Sequence, residues 1–187
     1  MSYKKTMQNA VAEYIEAARK AKAEITKAKE TYLPDIADKV RINEENALRG
    51  KYDAAVRVIR DAEAEGERAA EAWGRMEGSK LTPDAELLKY DLSPKDFDDI
   101  VSRNKDNGTM MKILYDYASK KNAETPFKYD YTGIQTVEQK AHFAQHMART
   151  AIDLMDRSSL KDGYMRGLDS PMVKQAVDGF LLMEDDD

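Results

Sequence analysis

Residues 3–32 read YKKTMQNAVAEYIEAARKAKAEITKAKETY, and residues 48–76 read LRGKYDAAVRVIRDAEAEGERAAEAWGRM. In the first stretch apolar or small residues recur at alternating spacings of four and three, through Met7, Val11, Tyr14, Ala18, Ala21, Ile25, Ala28 and Tyr32. The rhythm returns in the second, through Leu48, Tyr52, Ala55, Ile59, Ala62, Gly66, Ala69, Trp73 and Met76. A seam that repeats every seven residues stays on one face of a slightly underwound helix, and that face is stable only when another helix covers it. The reading is all-α, with residues 1–78 forming a long N-terminal helical hairpin or coiled-coil arm. Gly66 apart, these seam residues are the ones expected to carry the protein's interactions.

Between the two runs stands Leu33-Pro34. The proline ring restricts the residue before it and removes a backbone donor, so a helix turns or kinks there. An antiparallel hairpin is favoured over a continuous rod, with a first helix over 3–32 and a second over about 35–75. Ile36 and Val40 begin an apolar face out of register with the first run, and Gly50 weakens the second helix by about 1 kcal/mol relative to alanine. Glu16 and Lys20 form a flank pair one turn apart, a contribution of only about 0.2–0.5 kcal/mol.

Gly78-Ser79-Lys80 closes the arm, and residues 79–187 read as a compact, multi-helix C-terminal region ending in an acidic tail, Glu184 to Asp187. Thr82-Pro83 and Ser93-Pro94-Lys95-Asp96 each place a capping hydroxyl before a proline suited to the first helical position. Leu92 is spaced to staple against Phe97. Asn107-Gly108 reads as a helix stop, with Gly108 left-handed, and Thr109 as the cap of the next helix. Residues 125–133, with Pro126, Phe127, Tyr129 and Tyr131, read as a loop packed by its own rings. A helix follows from Thr136 to about Arg157 with Ala144 at the centre of its apolar stripe, then a linker over 158–169, and a last helix from Ser170-Pro171 bearing Val173, Val177 and Phe180.

Composition narrows the function. The chain has 187 residues, a formal net charge of -5, 35% charged and 42% hydrophobic residues, and no cysteine. Disulfides, thiolate metal sites and cysteine nucleophiles are excluded. The negative balance opposes general attraction to nucleic acid or an anionic membrane. No secretory signal and no apolar run of about 20 residues is visible, so a cytoplasmic location is expected.

Chemistry is sparse. Glu138, His142 and His146, spaced by four, stack on one helical face and are the only metal-like set, but that face lies opposite the apolar stripe and reads as solvated surface. Asp96, Asp98 and Asp99 bring carboxylates together at a helix start, where Asp96 has a capping role. No phosphate loop, nucleophile elbow or dinucleotide fingerprint is present, so no catalytic residue, cofactor or metal is expected. Arg19, Lys20, Lys22, Lys27 and Lys29 read as the solvent face of the arm, and Met110, Met111, Met147, Met155, Met165, Met172 and Met183 mostly as adaptable core residues.

A charged heptad arm containing Tyr32-Leu33-Pro34-Asp35, followed by Gly78-Ser79-Lys80-Leu81 and Asp106-Asn107-Gly108-Thr109-Met110, resembles uncharacterised helical proteins encoded in prophages of Gram-positive bacteria. The resemblance implies a viral structural, assembly or host-modulating role, in the host cytoplasm or the virion, and points to no functional residue. The expectation is a non-enzymatic structural, assembly or protein-interaction protein that associates with itself through the arm. The alternative is an acidic regulatory binder that occupies a basic site on a host protein.

Overall fold

The computed structural model describes residues 2–158, 168 and 170–183. Met1, most of the expected linker with Met165, and the acidic tail at 184–187 lie outside the described residues. Among the described residues seven α-helices follow one another: α1 (Tyr3–Thr31), α2 (Pro34–Trp73), α3 (Asp84–Leu87), α4 (Pro94–Arg103), α5 (Gly108–Glu124), α6 (Val137–Arg157) and α7 (Pro171–Leu181), with a 3-10 turn at Gly78–Lys80. No strand occurs among the described residues. The fold is all-helical, as the periodicity requires.

Helix α1 starts on Ser2, whose side chain accepts a hydrogen bond from the Lys5 N–H at 3.3 Å. It stops where Tyr32 turns extended, and Pro34 opens α2 at the position where a missing N–H costs nothing. The Leu33 carbonyl accepts the N–H groups of both Ile36 and Ala37. The chain reverses across these residues. The rings of Tyr14 and Tyr52 meet edge to face with centroids 5.7 Å apart, and a Cβ at Gly66 would lie 3.0 Å from the Tyr3 ring. Partners whose numbers rise on one helix as they fall on the other define an antiparallel hairpin.

The chain divides into two compact units, Met1–Gly66 with Ala144–Asp187, and Glu67–Phe143. These bounds differ from a division at residue 78, because the hairpin does not close its own core. In the first unit Met7, Val11, Ile15, Leu48 and Ile59 are buried together with Met147, Ala151 and Met155 of α6 and Val177 and Phe180 of α7. The stripe on α1 shows the change of partners. From Met7 to Ala18 it is broad, taking in Gln8, Ala10, Ile15 and Ala17 as well as the seam. From Ala21 onward only Ala21, Ile25 and Ala28 are buried, one per turn, as in a two-helix seam. Gln8 is buried and its side-chain amide donates to the carbonyls of Phe180 at 3.1 Å and Met183 at 2.9 Å. Helix α1 thereby supplies a donor to the last turn of α7, where the Phe180 carbonyl also accepts the Met183 N–H, and to the Met183 carbonyl just beyond it.

The second unit is built on the end of α2, α3, α4, α5 and the start of α6, around Phe97, Ile100, Met111, Leu114, Ala118, Tyr129 and Ile134. Ser93 caps α4 as the spacing requires: its hydroxyl accepts the Asp96 N–H at 3.2 Å and lies 2.6 Å from the Asp96 carboxylate. Leu92 packs against the cluster that holds Phe97. Three other expected end signals are used differently. Thr82 caps nothing; its hydroxyl donates to Asn104, a buried amide that also bonds Asp84 and the Ile100 carbonyl. Helix α4 ends at Arg103, and Gly108 begins α5 instead of ending α4. Asn107 is the cap of α5, accepting the Met110 N–H at 3.2 Å, while Thr109 donates to the Arg75 carbonyl and accepts the Glu77 N–H. The loop over 125–133 also differs. Tyr129 is inserted against Phe97 and Tyr117, centroids 4.8 and 5.5 Å away, and Asn122 clamps its backbone through both N–H and carbonyl. Phe127 is 96% exposed at a φ of 61°, so its ring does not pack the loop.

Candidate functional site

Of the seam residues, Met7, Val11, Tyr14, Ala18, Ala21, Ile25, Ala28, Leu48, Ile59 and Ala62 are buried within the single chain, and Tyr52 and Ala55 pack against the same core. The face expected to carry interactions is consumed by the chain's own helices. At the ends the pattern fails. Tyr32 and Met76 are more than half exposed, and past Gly66 the buried position is Ala70, with Ala69 exposed. Trp73 is half-buried beside the core of the second unit. Burial pushes the Tyr52 hydroxyl up to about 12, helped by its hydrogen bond to the Asp156 carboxylate, and pushes Tyr14 up as well. Both phenols stay neutral in the range where exposed tyrosine titrates.

The closed end of the hairpin is the part of the arm left open. Tyr32, Leu33 and Ile36 run across the reversal with 52%, 73% and 47% of their surface exposed, above the buried alanines Ala28 and Ala37. Ile36 does not open a buried face; Ala37 takes that position. Three large apolar side chains at successive points of one turn form a patch that water covers unfavourably. On the flanks Arg19, Lys20, Lys27 and Lys29 are exposed and Lys22 is half-buried, and Glu16 and Lys20 make the expected pair at 2.5 Å with both side chains exposed.

The second unit contains a cleft of about 420 Å³. Trp73 and Gly74 from the end of α2 form one side, Gly108, Met111, Lys112, Tyr115 and Asp116 of α5 another, and residues 135–138 at the start of α6 a third. Two glycines make the junction possible. A Cβ at Gly74 would overlap the Val137 side chain, and one at Gly108 would overlap the carbonyl and indole of Trp73. The start of α6 is closed by a reciprocal capping box, in which the Thr136 N–H bonds the Gln139 side chain at 2.9 Å and the Gln139 N–H bonds the Thr136 hydroxyl at 3.2 Å. Glu138 is held below the usual carboxylate range by its own backbone N–H, by the Thr136 hydroxyl and by the charge of Lys112. The ammonium of Lys140 stands 4.7 Å from the centroid of the Trp73 ring.

The remaining sequence candidates do not converge. Glu138 and His142 belong to the second unit and His146 to the first, all three are exposed, and Ala144 between the histidines is buried. Among the described residues no three of His, Asp or Glu stand where they could hold one metal ion. Asp96 is engaged with Ser93. Met110, Met111, Met147 and Met155 are core residues, whereas Met172 is 80% exposed. Among the described residues no helix is long and apolar enough to cross a membrane. Sequence reasoning did not find the cleft, since its residues come from three separated stretches; Trp73 as the sole tryptophan was its one visible signal.

No protein-family model matches this chain, and neither a curated protein nor a solved structure matches it.

Proposed function

We propose that this chain is a non-enzymatic structural or assembly protein that associates with other copies of itself through the closed end of the α1–α2 hairpin. The observation that supports it is the exposed run Tyr32, Leu33 and Ile36, presented at the end of a hairpin whose seam is already filled. Association through the arm therefore uses its tip and leaves the heptad face inside each chain. A phage origin, with assembly in the host cytoplasm or the virion, belongs to the same reading and draws its support from the sequence resemblance.

The test is absolute mass by light scattering over a wide concentration range, for the natural chain and for Leu33→Glu with Ile36→Glu. These positions are exposed, so charge there leaves the core intact. The natural chain is expected to rise in mass with concentration and the double variant to remain a single chain at all concentrations. A natural chain that stays single at high micromolar concentration would remove the proposal, as would a double variant that associates equally well.

A further inference from the structure

The cleft of the second unit combines two aromatic walls, Trp73 and Tyr115, with two carboxylates, Asp116 and Glu138, against the single ammonium of Lys112. We propose that it is a binding site for an organic cation on an apolar stem, of which a guanidinium such as the arginine side chain is the type. The inference stands independently of the hairpin tip.

Size, charge and shape point the same way. A cleft of about 420 Å³ lies within the range of about 300–1,000 Å³ that small ligands occupy. Met111 and Val137 line it with apolar surface suited to a methylene stem. Aromatic rings attract a cation through their negative faces, and a planar guanidinium can stack on a ring while donating two hydrogen bonds to one carboxylate. Trp73 already shows this preference, since the Lys140 ammonium rests over its ring. Lys140 is not among the lining residues, so it acts as an internal competitor at the edge of the site.

The rival ligand would be an anion at the N-terminus of α6, where free N–H groups commonly collect one. That end is already occupied. Thr136 and Gln139 satisfy each other, and the Glu138 carboxylate sits in the first turn bonded to its own N–H. An incoming anion would meet two carboxylates and find no free donor from the capping box.

Trp73 is the only tryptophan, so fluorescence of the full chain excited beyond the tyrosine absorption band reports on this site. The probes are butylguanidine, which carries a guanidinium on an apolar four-carbon stem, a short neutral-ended peptide with one arginine, and two controls of similar size, butylurea and pentanoate. Saturable change is expected with butylguanidine and with the peptide, at about 1–10 mM for so small a ligand, and none with either control. Half-saturation by the peptide at lower concentration assigns the site to a side chain of another protein, and the reverse order to a free small cation; both support it. Asp116→Asn with Glu138→Gln should weaken butylguanidine binding about tenfold. Lys140→Met should tighten it about threefold, a gain that a damaged fold does not produce. The proposal is overturned by a lack of saturation with both cations up to tens of millimolar, by an equal response to pentanoate, or by a Lys140→Met chain that binds no tighter.

Discussion

Two glycines in one helix, sixteen residues apart, have opposite consequences for stability. Gly50 and Gly66 both stand in the interior of α2, where glycine costs about 0.5–1 kcal/mol relative to alanine through backbone entropy. At Gly50 an added Cβ meets nothing within 4 Å, so Gly50→Ala should stabilise the protein by about that amount. At Gly66 the Cβ would lie 2.7 Å from the Cβ of Ala144 and 3.0 Å from the Tyr3 ring. Ala144 is fixed to its own backbone and cannot swing away, so the helices must separate. Gly66→Ala should destabilise by about 1–3 kcal/mol, as overpacking does. Thermal melts followed by circular dichroism at 222 nm measure both; a Gly66→Ala chain that melts at or above the natural one would show that α6 does not lie against α2 there. The seven-residue spacing places Gly66 on the buried face, so its position was legible in the sequence. What presses on it was not, because Ala144 is 78 residues away and no local pattern joins them.

Single elements differ in how much of their environment they encode. The outer half of α1 behaves as its heptad predicts, with one buried residue per turn, Ala21, Ile25 and Ala28. Its inner half buries Gln8, Ala10, Ile15 and Ala17 as well, since α6 and α7 also share that core, and a seven-residue rhythm has no means of announcing third and fourth partners. The capping residues show the same limit. Ser93 caps α4 as expected, but Thr82 and Thr109 turn to Asn104 and to the end of α2, and Asn107 takes the cap of α5. A short polar side chain states that it can cap; only the fold decides which of several nearby backbone groups it meets. Helix α7 gives this point a measurable form. Its attachment rests on the burial of Val177 and Phe180 and on the two bonds from Gln8. Gln8→Leu keeps the apolar stem but removes the side-chain donor from both carbonyls, of which Phe180's keeps the Met183 N–H, at a cost of about 1–3 kcal/mol. Hydrogen exchange read by mass spectrometry should then show faster exchange over 171–183 and little change in the outer half of α1. Equal protection of α7 in the variant would mean that apolar contacts alone hold it.

At the scale of the whole molecule, the first unit is discontinuous, with residues 67–143 intervening between Gly66 and Ala144. A boundary at residue 78 follows from the end of the heptad run, but a run of apolar spacing marks a helix face and does not say where its covering residues come from. The hairpin's core is completed from the other end of the chain, by Met147, Ala151, Leu154 and Met155 of α6 and by Val177 and Phe180 of α7. Residues 1–78 alone would leave Met7, Val11 and Ile15 without that cover. Large apolar side chains lose about 1.5–3 kcal/mol each when exposed, which is comparable in sum to the whole stability of a small domain. This fragment should therefore melt without cooperativity or aggregate. By contrast, residues 1–66 joined to 144–187 by a short glycine-serine loop should fold, because Gly66 and Ala144 touch and the loop has little distance to span. Circular dichroism melts and sedimentation of the two chains compare them directly. A cooperative, single-chain melt of 1–78 would show that the two-helix seam suffices on its own. Failure of the joined chain to fold would show that the first unit needs the residues that interrupt it.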